Sequence, residues 1–348
     1  MPIETDALII GAGPVGLFQV FQLGLLEVKC HVIDALPYPG GQCIELYPDK
    51  PIYDIPGFLR TTGRELTASL LAQIKPFKAP LHLGQVVSQI ETLPDGRFEV
   101  VTSQGQQFLV KVIIIAAGVG AFQPKLLKVA GLDKFQSSQL FYHALPENMS
   151  GQHVLVVGGE DSALECAIKL ATASGSSGQA KSVTLLHRRD MYQAAPDLIA
   201  KIDELQGANV LQLVVGQVTG LNEQAGRLTA AQVSGIDGQI HAIPVDTLLV
   251  YLGLSPKLGP LASWGLAMDR KQISVDTEKF ATSVRGIFAV GDINTYPGKK
   301  KLILSGFHEC ALAAFGAADI IFPGKNPQLE YTTSSTRLHR LLGVDAQT

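Results

Sequence analysis

Cysteine is scarce in this chain, and its four examples, Cys30, Cys43, Cys166 and Cys310, are scattered along 348 residues. No two stand in a Cys-x-x-Cys spacing, which removes a zinc ribbon, a dithiol redox motif and a disulfide framework. The expectation is four reduced, buried thiols and no metal site. Charge is also sparse, 17% of residues with a formal net charge of −3. Such a surface offers no global attraction to nucleic acid or an anionic membrane. Residues 7–26 carry no charge at all, a length that matches a membrane span of about 20 residues. Glycines, a proline and two glutamines interrupt that run, and it lacks a basic leader and a cleavage site. A strand and helix buried in a soluble, cytoplasmic protein is therefore expected, with no membrane partner.

What is present is apolar and rich in turns: 46% hydrophobic residues and 35 glycines. The length suits two domains of about 100–200 residues each. Residues 8–16, Leu-Ile-Ile-Gly-Ala-Gly-Pro-Val-Gly, read as an apolar strand entering a Gly-x-Gly-x-x-Gly turn, with Asp34 downstream. Gly11 permits the tight turn, Gly13 lets the backbone approach a pyrophosphate, and Gly16 allows close helix–strand packing. Pro14 opens the helix, whose free N–H groups face the phosphates, and Asp34 accepts from ribose hydroxyls.

A second strand–turn–helix begins at His153-Val-Leu-Val-Val and turns through Gly158, Gly159, Glu160, Asp161 and Ser162. The next parallel strand, Ser182-Val-Thr-Leu-Leu, ends in His187, Arg188 and Arg189. Basic residues there suit the 2′-phosphate of NADP, which an acid would repel; a solvated basic turn is the plainer reading. Residues 98–102 and 107–112 form a predicted hairpin, while residues 112–118 and 247–253 read as buried parallel strands. Residues 172–178 read as a surface insertion. Near the end, Gly286-Ile-Phe-Ala-Val-Gly-Asp292 is a short strand ending at an acid placed for a sugar or ribityl hydroxyl, or for capping a helix. A helix over 309–321 follows. The first domain thus appears as two pieces, left near residue 120 and rejoined near 285.

Taken together, residues 11–18, 40–58, 117–124, 187–190, 286–299 and 305–307 resemble the two-domain, thioredoxin-reductase-like ferredoxin/flavodoxin–NADP reductases, over nearly the whole chain. The resemblance implies an α/β fold of two Rossmann-like three-layer domains without the redox disulfide. An FAD domain over 1–120 and 285–348 would be interrupted by an NADP domain over 121–284. It places FAD on Gly11, Gly13, Pro14, Gly16, Asp34, Gln42, Val87, Phe122 and Asp292. Tyr47 would stack on the isoalloxazine, and Tyr331, with Thr333 and Ser334, would cover its other face. NADP would lie on Gly158, Gly159, Asp161, Ser162, His187, Arg188 and Arg189. The flavin carries the chemistry, so no catalytic side chain is expected. Lys299, Lys300 and Lys301, with Arg337 and Arg340, would form a basic rim that steers an acidic ferredoxin or flavodoxin. A homodimer is implied by the resemblance alone.

Two positions depart from the family pattern. Glu160 stands where the second glycine of the second turn belongs, and Gln193 where an arginine is frequent; both weaken NADPH binding. An FAD electron-transfer protein that no longer uses NADPH well therefore stays open, as does a non-enzymatic FAD-binding module. Thioredoxin reductase requires a Cys-x-x-Cys beside the second turn, and residues 140–150 contain no cysteine.

Overall fold

The computed structural model describes residues 1–143, 145–146, 148–173, 179–325 and 328–344, apart from the side chains of residues 122, 123, 254 and 256. It divides into two compact units, residues 1–122 with 256–348, and residues 123–255. In chain order the first unit supplies β1 (Ile3–Ile10), α1 (Pro14–Leu25), β2 (Cys30–Ile33), α2 (Gln42–Leu46) and α3 (Gly63–Ile74). β3 (Leu81–His82), β4 (Val87–Thr92), β5 (Phe98–Thr102) and β6 (Gln107–Ile115) complete its first stretch. The second unit supplies β7 (Leu140–Tyr142), β8 (His153–Gly158), α4 (Asp161–Thr172), β9 (Ser182–His187) and α5 (Pro196–Gly207). It ends with β10 (Gln212–Gln224), β11 (Arg227–Gly235), β12 (Ile240–Pro244) and β13 (Thr247–Tyr251). The return to the first unit brings β14 (Ile287–Ala289), α6 (Ile303–Ile321) and α7 (Thr336–Leu342).

The first sheet runs β3-β2-β1-β6-β5-β4, with β14 beside β6. The second halves of its central strands, residues 7–10 of β1 and 112–115 of β6, are apolar at every position because both faces are covered there. Ala7, Ile9, Val112 and Ile114 point into one core with α1, α3 and α6. Leu8, Ile10, Ile113 and Ile115 point into the other. The two strands expected over 107–112 and 112–118 are one nine-residue strand. Its first half pairs antiparallel with β5, Phe98 opposite Val110. Its second half pairs parallel with β14, Ile287 opposite Ile113.

The second face explains where the first unit resumes. Leu258, Leu261, Trp264, Leu266, Met268 and Ile273 pack on Phe98, Val100 and Phe108, so the chain rejoins at residue 256 rather than near 285. Those residues show no strand or helix period, which is why the later boundary is the one that the sequence suggests. In the second unit β7, β13, β8, β9 and β10 are parallel, and β11 and β12 add an antiparallel edge. Val154 and Val156 face α4 and α5, while Leu155 and Val157 face Leu132, Phe135 and Val233. Most of the expected insertion, residues 174–178, lies outside the described residues.

The uncharged run over 7–26 is β1 and α1, with Ala7, Leu8, Ile9, Leu17, Val20 and Leu23 fully buried. α6 begins at Ile303 rather than 309, and is long and apolar enough to cross a membrane by length and composition. Here it is a core helix: Cys310, Ala313, Ala314 and Ala317 are completely buried beside α1 and the sheet.

α1 approaches β1 so closely that a Cβ at Gly16 would stand 1.8 Å from the Gly11 carbonyl oxygen, a backbone atom with no room to retreat. Gly16→Ala is expected to lower stability by about 1–3 kcal/mol, the usual cost of overpacking. Gly13→Ala, whose Cβ meets nothing nearer than 3.9 Å, should stay within about 0.5 kcal/mol of wild type. Urea denaturation of both variants checks the contrast.

Candidate dinucleotide-binding sites

In the first unit, Gly11 takes φ +114°, and a Cβ there would stand 2.3 Å from the Ala116 carbonyl oxygen. Gly13 is the N-cap of α1, with no side-chain cap and no acid in the first turn. The positive end of the helix dipole is left to backbone N–H groups alone, the arrangement that takes an anion. Asp34 closes the β2 end. Its Oδ2 accepts from Ala12 N at 2.5 Å and its Oδ1 from Leu36 N at 2.8 Å. Burial pushes the Asp34 carboxyl above its ordinary range, against the pull of those two bonds.

Asp292 arrives from the other side, in a 3-10 turn over Gly291–Ile293 directly after β14. The Gln42 amide, at the opposite end of α2 from Tyr47, donates to Asp292 Oδ2 at 3.5 Å. Burial and the nearby Cys43, Asp292 and Asp54 hold the Tyr47 hydroxyl well above its usual range, so it stays neutral. Val87 begins β4 with its side chain buried. α6 does not start at Asp292: its N-cap is Leu302, which removes the helix-cap reading of that acid.

Behind Asp292 lies a polar cluster that the sequence did not reveal. Glu309 is fully buried, and its Oε2 accepts from Gly291 N at 2.6 Å and Asn294 Nδ2 at 2.9 Å. Its Oε1 accepts from the Tyr296 hydroxyl at 3.0 Å and from Lys299. Lys299, 6% exposed, also donates to the Gly291 carbonyl at 3.0 Å. The available signal was Glu309 itself, an acid on an apolar helix, which must be paired or neutral. Lys299 is therefore not part of a solvent-facing basic rim. Arg337 is also engaged, with Glu330 and Glu27, leaving Lys300, Lys301 and Arg340 exposed.

The second turn differs. A Cβ at Gly158 would meet the Tyr251 carbonyl at 2.3 Å, and one at Gly159 would meet the His187 ring at 2.5 Å. His187 thus lies over Gly159, stacked on Tyr192 with ring centroids 5.6 Å apart. Glu160 is the N-cap of α4 without making a cap hydrogen bond, and Asp161 follows it. Asp161 Oδ1 is taken by Ala195 N at 2.8 Å. The Glu160 carboxylate reaches toward Gly253, its Oε2 3.2 Å from where a Cβ would stand, with Lys125 Nζ 3.5 Å from the same point. Ser162 is half-buried on the first turn of α4, and Arg188 and Arg189 are exposed.

A family model described as pyridine nucleotide-disulphide oxidoreductase matches residues 5–308. A protein of Polaromonas sp. (strain JS666 / ATCC BAA-500), named ferredoxin--NADP reductase, is 63% identical over 99% of this chain and 94% of its own. The chain belongs to this oxidoreductase family, in its ferredoxin–NADP reductase group. An equally named protein of Albidiferax ferrireducens is 61% identical over 99% of this chain and 97% of its own. Solved thioredoxin reductases of Lactococcus lactis and T. acidophilum share the fold, each with a TM-score of 0.56. They are 23% and 24% identical, and each match covers 91% of this chain and 99% or 98% of theirs.

Of the residues expected to hold cofactors in such a reductase, Gly11, Gly13, Pro14, Gly16 and Asp34 form one turn, and Gln42 meets Asp292. The Phe122 side chain lies outside the described residues. The tail does not join them. Tyr331 is 68% exposed, Thr333 and Ser334 are exposed, and α7 docks through Arg337 on the Leu25 carbonyl. That is the end of α1 away from Gly13, about 18 Å along a twelve-residue helix. An aromatic followed by hydroxyl residues names no particular surface, so the sequence could not place it.

Glu160→Gly removes a carboxylate from the start of α4 and is expected to tighten NADP+ binding about 5-fold. Isothermal titration checks this; unchanged affinity would mean that the carboxylate already stands clear of the phosphates.

Proposed function

We propose that this chain is an FAD-dependent oxidoreductase moving electrons between NADPH and a ferredoxin or flavodoxin. One observation carries the reading: two strand–turn–helix dinucleotide sites in one chain that lacks a paired dithiol. The relatives' printed name, ferredoxin--NADP reductase, agrees with it over the full length. The first site suits FAD on its own geometry. The nearest atom of another segment to a Gly13 Cβ is Gly41 Cα at 3.9 Å, so the missing side chain leaves a cradle over an uncapped helix start. A pyrophosphate fits that cradle.

Bound FAD supplies two-electron exchange with NADPH and one-electron exchange with the protein partner. The residues bind and orient. Gly11 to Gly16 would hold the pyrophosphate, Asp34 the adenosine ribose, Val87 the adenine edge, and Gln42 and Asp292 the ribityl portion. Tyr47 would lie on the ring as a neutral phenol. In the second unit Gly158, Gly159, Asp161 and Ser162 would take the NADP pyrophosphate, and His187, Arg188 and Arg189 the 2′-phosphate. His187 must leave its place over Gly159 for phosphate to approach. An FAD carrier without nucleotide activity is not favoured, because relatives named for NADP match both units. A cytoplasmic, homodimeric protein belongs to the same reading.

The test is anaerobic stopped-flow reduction of the FAD-loaded chain. Fast, saturable bleaching by NADPH with a much weaker response to NADH is expected. A flavin that dithionite reduces and neither nucleotide bleaches would overturn the nucleotide half of the reading. Lys300 and Lys301 supply the remaining basic face for an acidic partner. Reversing both to Glu should slow ferredoxin turnover about 10-fold at low salt and spare small dyes; equal losses with both acceptors would remove that docking role.

A further inference from the structure

We propose that the buried Lys299–Glu309 pair is a positioning device for Asp292, fixing the backbone on both sides of the acid that would hold the ribityl portion of FAD. The inference rests on the flavin reading above and extends it to residues with no direct cofactor contact. Gly291, with φ +78°, precedes Asp292, and both of its backbone groups are held: its N–H by Glu309 and its carbonyl by Lys299. Two residues after Asp292, the Asn294 amide is held by Glu309 Oε2 and by the Ala289 carbonyl at 2.8 Å. Gln272 adds a bond to the Asp292 carbonyl at 3.3 Å and another to Asn294 O at 2.7 Å. Among the described residues, the Asp292 carboxylate itself receives only the long bond from Gln42. Its direction is therefore set by the backbone, which Glu309 and its partner Lys299 hold together with Gln272.

The same helix also registers the phosphate turn. Cys310, next to Glu309, donates through Sγ to the Val15 carbonyl at 3.2 Å, and its own carbonyl accepts from Gln19 Nε2 at 3.3 Å. Gly306 presents no side chain where a Cβ would stand 2.4 Å from Val15 Cγ2 and 3.4 Å from Gly291 Cα. Three positions on one face of α6 thus fix the start of α1 and the Asp292 turn relative to each other. Apolar packing alone would hold α6 without the desolvation cost of two buried charges. It would leave the Gly291 N–H and carbonyl with no partner. The Tyr296 hydroxyl, pushed up to about 12 by burial and by Glu309, remains a donor at neutral pH.

The experiment is a double-mutant cycle in the deflavinated full chain, read by fluorescence quenching on FAD titration. Glu309→Gln should raise the FAD Kd about 10-fold or more, as for a lost charge-assisted hydrogen bond. In an Asp292→Ala background the same change should move it less than about 2-fold, because the two residues act as one unit. Tyr296→Phe, a milder change at the edge of the cluster, should repeat the pattern at about 3-fold, and it decides the matter if Glu309→Gln does not fold. NADP+ affinity should be unchanged throughout. Equal losses in both Asp292 backgrounds, or no loss in either, would overturn the positioning role while leaving the flavin reading standing. A wild-type chain that binds NADP+ and takes up no FAD would overturn the flavin reading and this inference with it.

Discussion

A hydrogen in place of a methyl group at Gly16 sets the geometry of the first unit. It lets α1 settle against β1 until the Gly11 carbonyl fills the space of a side chain. From there the start of α1 is fixed relative to the strand ends, and Val15 becomes the surface on which α6 docks. α6 in turn brings Glu309 to Gly291, and Gly291 carries Asp292. The chain of dependence runs from one close backbone contact, through one helix pair, to an acid almost three hundred residues away in sequence. Each link is short and directional, so an error at the first would displace the last.

The two dinucleotide turns show how one backbone pattern gives two electrostatic outcomes. Both have a strand, a glycine turn and a twelve-residue helix. At α1 no side chain competes for the helix dipole. At α4 Glu160 and Asp161 stand on the first turn, and a ring lies over Gly159. Asp161 already accepts from the Ala195 N–H, and the Glu160 carboxylate reaches toward Gly253. The first surface is the better anion site of the two; the second is partly occluded and carries acids, and its nearest exposed arginines in sequence are Arg188 and Arg189.

Local features of this architecture were legible because their signals are local. Nine residues carry strand, turn and helix start, and a run such as Val112-Ile-Ile-Ile can only be a strand covered on both faces. The site components that require distant partners were not legible. Glu309 looked like part of an ordinary helix, and Lys299 like the first of three surface lysines. Their partnership exists because the turn between β14 and α6 folds one back on the other. The place of residues 256–284 in the first unit is hidden for a similar reason: irregular backbone carries no period, and the sheet face that Leu261 and Ile273 cover decides where they go. The tail shows the complementary difficulty, since Tyr331 could have packed on several surfaces and the ion pairs of Arg337 decide which end of α1 it follows.

The four cysteines are placed for packing rather than for exchange. Thiol–disulfide exchange proceeds through a thiolate and a nearby partner sulfur. Here burial, with Asp6 adding to it, pushes the Cys30 thiol up to about 12, and burial raises Cys43 and Cys166 as well. Cys310 is raised well above its usual value, by burial and by Glu309, and is committed as a donor to α1. The chain shares its fold with solved thioredoxin reductases, and its four thiols are free, buried and held toward the protonated form. Electron exchange between NADPH and ferredoxin therefore belongs to the flavin rather than to a dithiol.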